Sequence, residues 1–174
     1  MDILKTATDW AKDEVFSSTF FILFGILFVL ASIGFWQLGK TEVAKAFTLP
    51  TLVAGILLLT IGLGLLFTNK SRITDFETTY NSNPSAFVES EIVRAEKTLN
   101  EYQGVVFKII PLIITVFALL IIFIDKPIWR AISITTIAMM AIILMIDSNS
   151  SARHEAYKEQ LVEYKGEING PDCN

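Results

Sequence analysis

Two apolar runs separated by three residues constrain this chain more than any other feature. Val105–Ile124 carries one charge, Lys108, near its start, and Ile128–Ile146 carries one, Arg130, also near its start. A bilayer core about 30 Å thick is crossed by roughly 20 apolar residues in an α-helix, and each run meets that requirement alone. Between them stand Asp125, Lys126 and Pro127, two charges and a residue that breaks helices. So short a link makes the two helices antiparallel neighbours.

Two earlier runs, at about residues 15–38 and 49–68, are apolar on every face, which is the pattern of membrane spans and not of a globular domain. A hydrophobic content of 52% and a mean hydropathy of +0.53 agree with this. The sequence therefore predicts an all-α, polytopic membrane protein over 1–174. It has four transmembrane helices (about 15–38, 49–68, 105–124 and 128–146) in two hairpins. Amphipathic helical extensions from 1–14, 69–104 and 147–170 form an annex on one side. Fourteen mixed-charge residues ahead of the first run argue against a secretory signal.

The extensions follow from periodicity. Ile3, Ala7, Trp10 and Ala11 share one helical face, and Trp10 suits a membrane interface. Trp36 marks the far interface of the first span, and residues 39–45 read as a short turn. Pro50 suits the first turn of the second span. Ile73, Phe76 and Tyr80 continue helical spacing beyond it. Asn83 before Pro84 is an N-cap followed by proline at the first helical position. From there Val88, Ile92, Ala95, Leu99 and Tyr102 recur at four and three, with Glu89, Glu91, Arg94, Glu96, Lys97 and Glu101 on the other faces. Nothing stops this helix before Ile124, so Pro84–Ile124 is expected to be one helix of roughly 60 Å, kinked near Pro111. Past the fourth span, His154, Tyr157, Leu161, Tyr164 and Ile168 share a face. Gly166 or Gly170 should end the helix before Pro171. The two amphipathic helices leave adjacent spans, so the His154, Tyr157, Leu161 and Tyr164 face is expected on the Val88, Ile92, Ala95 and Leu99 face.

Of the 14 lysines and arginines, only Lys40, Lys45, Lys126 and Arg130 fall in the turns opposite the termini. That bias favours cytoplasmic termini in a plasma or inner membrane. The net charge of -4 leaves a nucleic-acid role without an electrostatic footprint. One cysteine, Cys173, and one histidine cannot make a disulfide or a metal cluster, so no metal or cofactor is expected. A nucleophile elbow, a phosphate loop and an HExxH motif are all lacking, and the chain does not read as an enzyme.

Three constellations remain. In the second span, Thr51, Gly55 and Gly62 form one small-residue stripe, and Thr60, Gly64 and Thr68 form another. Small residues let helix backbones approach where lipid offers no hydrophobic drive, so two stripes suggest two neighbours, one in the same chain and one in a second subunit, the alternative being a four-helix bundle that uses both stripes internally. Ser133, Thr136, Met140 and Asp147 share a face of the fourth span that would line a water path in a ring of subunits. The favoured alternative is that the Ser133 and Thr136 hydroxyls bond their own helix or a neighbour. Lys108 either snorkels to the interface or pairs with Asp147 at the same depth. The leading expectation is a non-enzymatic membrane scaffold or accessory subunit that homo-oligomerises in the lipid bilayer and presents its annex to a cytosolic protein partner. The second is a homo-oligomeric pore lined by the fourth span, and a secondary transporter is third.

Overall fold

Residues 2–168 are described by a computed structural model in which no strand occurs among them. The elements are α1 (Ile3–Leu38), α2 (Glu42–Ala46), α3 (Thr48–Ser82), α4 (Pro84–Glu101), a π-helical segment (Tyr102–Ile109), α5 (Ile110–Phe123) and α6 (Pro127–Ile168). Four helical rods result, each long and apolar enough to cross a membrane: α1, α2 with α3, α4 through α5, and α6.

Caps and helix geometry explain where the chain turns. Asp2 opens α1 by accepting a hydrogen bond from the Lys5 backbone N–H, 3.1 Å. The segment read as a plain turn at 39–45 contains α2, because Thr41 Oγ1 accepts from the Ala44 N–H and closes a short helix. Asn83 Oδ1 accepts from the Ala86 N–H, 3.1 Å, and Pro84 occupies the first turn of α4. From Pro84 to Phe123 the chain stays helical, but Tyr102–Ile109 widens to π geometry, the Ile110 N–H bonding to the Val105 carbonyl. Pro111 supplies no N–H, and its ring crowds the carbonyl one turn back. A π segment directly upstream accommodates this without breaking the rod. Gly166 lies inside α6, so it does not end that helix. Gly170, Pro171 and Cys173 fall outside the described residues.

Two apolar clusters organise the packing. One gathers Ile3, Ala7, Trp10 and Ala11 of α1, Phe76 of α3, Phe87 and Val88 of α4, and Tyr157 and Leu161 of α6. The other gathers Phe21, Ala54, Leu58, Met139 and Ile146 from the apolar parts of α1, α3 and α6. The buried stripe of α1 runs the length of the helix through Trp10, Glu14, Ser17, Ser18, Phe21, Gly25 and Ser32. Its partner is α3. A Cβ added to Gly55 would lie 2.9 Å from the Gly25 carbonyl oxygen, and one added to Gly62 would lie 2.9 Å from the Ile22 nitrogen. Only glycine allows backbones this close. Ser32 Oγ donates to the Thr48 carbonyl, 2.7 Å, tying the end of α1 to the start of α3. By contrast α5 packs on α6 alone, apart from the π segment it continues, and buries only Ile110.

Candidate functional site

The site lies where the apolar parts of the four rods give way to their polar ends. Trp10 and Glu14 of α1, Asn69 and Arg72 of α3, Tyr102 of the π segment, and Asp147, Ser150, Arg153 and His154 of α6 come together there. The α1 contribution follows from its stripe: Ile3, Ala7, Trp10 and Glu14 are spaced by four, three and four, which keeps them on one helix face. Glu14 is thus carried into the interior with its apolar neighbours and needs a partner there.

That partner comes from α6. Arg153 Nε and Nη2 donate to Glu14 Oε1 at 3.1 and 3.0 Å, and Nη2 also donates to Ser17 Oγ at 2.6 Å. Ser150 Oγ donates to Glu14 Oε2 at 2.6 Å and accepts from the Tyr102 hydroxyl at 2.9 Å. One connected network therefore joins α1, the π segment and α6. His154 Nδ1 lies 2.9 Å from the Ser150 carbonyl, which can only accept, so this nitrogen carries the proton. Burial pushes the His154 pKa down, partly offset by that hydrogen bond and by Glu14. Burial pushes Tyr102 up to about 12.

A second network sits beside the first. Arg94 pairs with Glu91 bidentately through Nε and Nη2, and the Tyr157 hydroxyl donates to Glu91 Oε2 at 2.9 Å. The Arg94 guanidinium lies 4.4 Å from the Trp10 ring centroid, and Tyr157 stacks on Trp10 at 4.8 Å. The Trp10 indole N–H is buried and has no hydrogen-bond partner among the described residues.

Above these networks opens a cavity of about 470 Å³. Its apolar wall includes Phe21, Ile61, Leu65, Val106 and Ile143, and its polar wall includes Glu14, Asn69, Arg72, Tyr102, Asp147 and His154. Asp147 is half-buried and makes no hydrogen bond or ion pair among the described residues. Burial, and then the Glu14 charge, raise its pKa to about 6. Among the described residues no three His, Cys, Asp or Glu side chains converge as a metal site would require.

Several expected groupings rearrange. Lys108 and Asp147 form no ion pair: Lys108 is exposed, on the widened π segment, while Asp147 faces the cavity. The π geometry rotates Lys108 away from the position an unbroken α-helix implies. On α4 the buried face is Phe87, Val88, Glu91 and Ala95, with Ile92 and Leu99 only half-buried. Glu91 is therefore inside and not on an outer face. Val88 and Ile92 do meet Tyr157, Leu161 and Tyr164, but α1 is wedged into the same cluster. His154 contacts Trp10 and Tyr102 at its edges, with centroids 4.9 and 5.5 Å apart, in place of α4 apolar side chains. Ser133 is fully buried, Thr136 is half-buried and Met140 packs on the second apolar cluster. Thr51, Gly55 and Gly62 are buried on α3, whereas Thr60, Gly64 and Thr68 are exposed.

Glu14, Arg72, Arg94 and Arg153 went unread as site residues. Glu14 had a visible signal, its place in the α1 stripe. The arginines had none, because their partners lie on other helices. No protein-family model, curated protein or solved structure matches the chain.

Proposed function

We propose that the chain is inserted in a plasma or inner membrane as two antiparallel hairpins with both termini cytoplasmic. There it acts as a non-enzymatic scaffold or accessory subunit that presents its annex to a cytosolic protein. One observation carries the partner reading. A groove of about 930 Å³ between α4 and α6 is lined by Glu96, Glu155, Glu159 and Glu163 around Leu99 and Val162, with Lys158 as its one cation. Lys158 is already bonded to Glu96, 2.9 Å. Acidic walls over an apolar floor suit a basic amphipathic helix, whose apolar face would cover Val162.

The exposed Thr60, Gly64 and Thr68 stripe supports a homo-oligomer, since the Thr51, Gly55 and Gly62 stripe is already occupied by α1. The pore reading draws less support. Ser133 and Met140 turn toward the interior of the chain itself, so their face is not free to line a shared path.

The test uses a labelled synthetic helix with lysines on one face and leucines on the other, and the protein in neutral-lipid nanodiscs. Anisotropy should report binding at low salt that weakens as salt screens the groove. Glu155→Lys with Glu159→Lys should weaken it roughly tenfold or more, as loss of two charge pairs implies. Equal binding to empty discs, or to a sequence-scrambled peptide, would overturn the reading.

A further inference from the structure

The cavity between the four rods contains two opposite charges that do not satisfy each other. The Arg72 guanidinium is held by Asn69 Oδ1 at 2.8 Å and meets no carboxylate within ion-pair distance among the described residues. The Asp147 carboxylate has no partner either. Both side chains are half-buried and line the same space. The other buried carboxylates are taken, Glu14 by Arg153 and Ser150, and Glu91 by Arg94 and Tyr157. Glu101 stands exposed at the rim. A half-buried carboxylate without a partner costs stability, and a guanidinium held by one amide oxygen keeps other donors free. Beneath them the wall turns apolar, and it is built from the apolar segments of α1, α3 and α6 through Phe21, Ile61, Leu65 and Ile143.

We propose that this cavity binds a zwitterionic amphiphile, its oxyanion against Arg72, its ammonium against Asp147 and its apolar tail along Phe21, Ile61, Leu65 and Ile143. A guanidinium is suited to a phosphate, and a carboxylate is suited to an ammonium. Trp10, whose buried indole N–H has no acceptor among the described residues, also lines the cavity. The volume, about 470 Å³, accepts a headgroup and the first part of its tails. The occupant is a membrane phospholipid and not a soluble headgroup, because half of the wall has only apolar side chains to offer. The proposal rests on the membrane reading given above.

Native mass spectrometry of the detergent-solubilised protein tests it, with phosphatidylethanolamine and phosphatidylglycerol of identical chains supplied as competitors. The wild type should retain one phosphatidylethanolamine in preference to phosphatidylglycerol by roughly tenfold, the worth of one charge-assisted contact. Asp147→Asn should abolish that preference while phosphatidylglycerol still binds. Arg72→Gln should weaken both lipids. Lys108→Gln, which alters an exposed cation near the same level, should change neither. The lipid ratio is internal to each variant, so a loss of yield does not obscure it. Equal retention of the two lipids by the wild type, or a preference that survives Asp147→Asn, overturns the proposal. So does soluble phosphoethanolamine competing as well as the lipid. Failure of the membrane reading would look different: the protein would stay dispersed without detergent and carry no lipid of either kind.

Discussion

The α1–α3 pair and the α5–α6 pair are built on opposite plans. Gly25, Gly55 and Gly62 bring α1 and α3 into backbone contact, and their shared stripe continues into the polar end. In α5 most side chains are large and apolar and there is no glycine, Leu112, Val116, Leu119 and Ile122 remain exposed, and only Ile110 is buried. In lipid, tails are as apolar as leucine, so bringing two leucine faces together gains little, whereas glycine faces gain close packing. Density in the apolar half therefore follows the small residues and not the most hydrophobic ones. The α5–α6 pair is held to the rest by the continuous α4–α5 rod and by α6, whose Glu14–Arg153 network is a buried polar tie to α1.

Cutting that network should have the largest effect. Glu14→Ala leaves Arg153 without its carboxylate and Ser150 without its acceptor. We expect a loss of about 3 kcal/mol, at the low end for a buried pair because Arg153 is 30% exposed and water can reach it. Denaturant unfolding in mild detergent measures the loss, and hydrogen exchange should show α6 loosening before α3. If α6 stays protected, the two pairs are joined elsewhere.

Gly62→Leu attacks the tight pair itself. The added side chain meets Ile22 and Phe21, and the expected cost is about 2 kcal/mol. Gly64→Leu, two residues away with open space around it, should cost the subunit within about 0.5 kcal/mol. Unfolding midpoints of the two variants, side by side, check the contrast. Equal effects would mean that close α1–α3 contact is not what holds the pair. On the proposed homo-oligomer, Gly64→Leu should instead lower the particle mass in native lipid.

Asp147 gives a smaller effect with a distinct pH signature. Its carboxyl titrates near 6 in the fold against 3.8 unfolded, so between these values the folded state holds the extra proton. Stability from this group is present below about pH 4 and lost as pH rises through 6. Asp147→Asn should therefore match the wild type at low pH and exceed it by about 1 kcal/mol at pH 7, after allowance for partial exposure. Protonation of buried His154 at low pH acts with the opposite sign but equally on both proteins, so it cancels in the difference. Thermal unfolding between pH 4 and 8 in one detergent gives both curves. A constant offset across that range would remove Asp147 as the titrating group.

The long helices were legible because their signals are local. Asn83 and Pro84 declare a helix start whatever surrounds them, and apolar runs of span length declare their extent. The stripe Thr51, Gly55 and Gly62 announced a close neighbour, though not that α1 would be the one. The Lys108–Asp147 pairing was drawn from a shared depth, which fixes position along a helix but not direction around it. Pro111 widens the stretch that carries Lys108, and a π segment turns every side chain before it.

What the amino-acid order determined unaided is the inventory: four rods long and apolar enough to cross a membrane, each with a polar extension, and the faces on which their small and amphipathic residues fall. Helical periodicity is a property of one segment, so it can be read from that segment. What only the tertiary structure decided is which faces meet. Glu14 became an interior carboxylate because Arg153 arrives from α6, 139 positions away along the chain. Arg72 and Asp147 came to line one space because α3 and α6 border the same cavity. Such partnerships join residues with no local relation in sequence, and packing alone sets the distance between them.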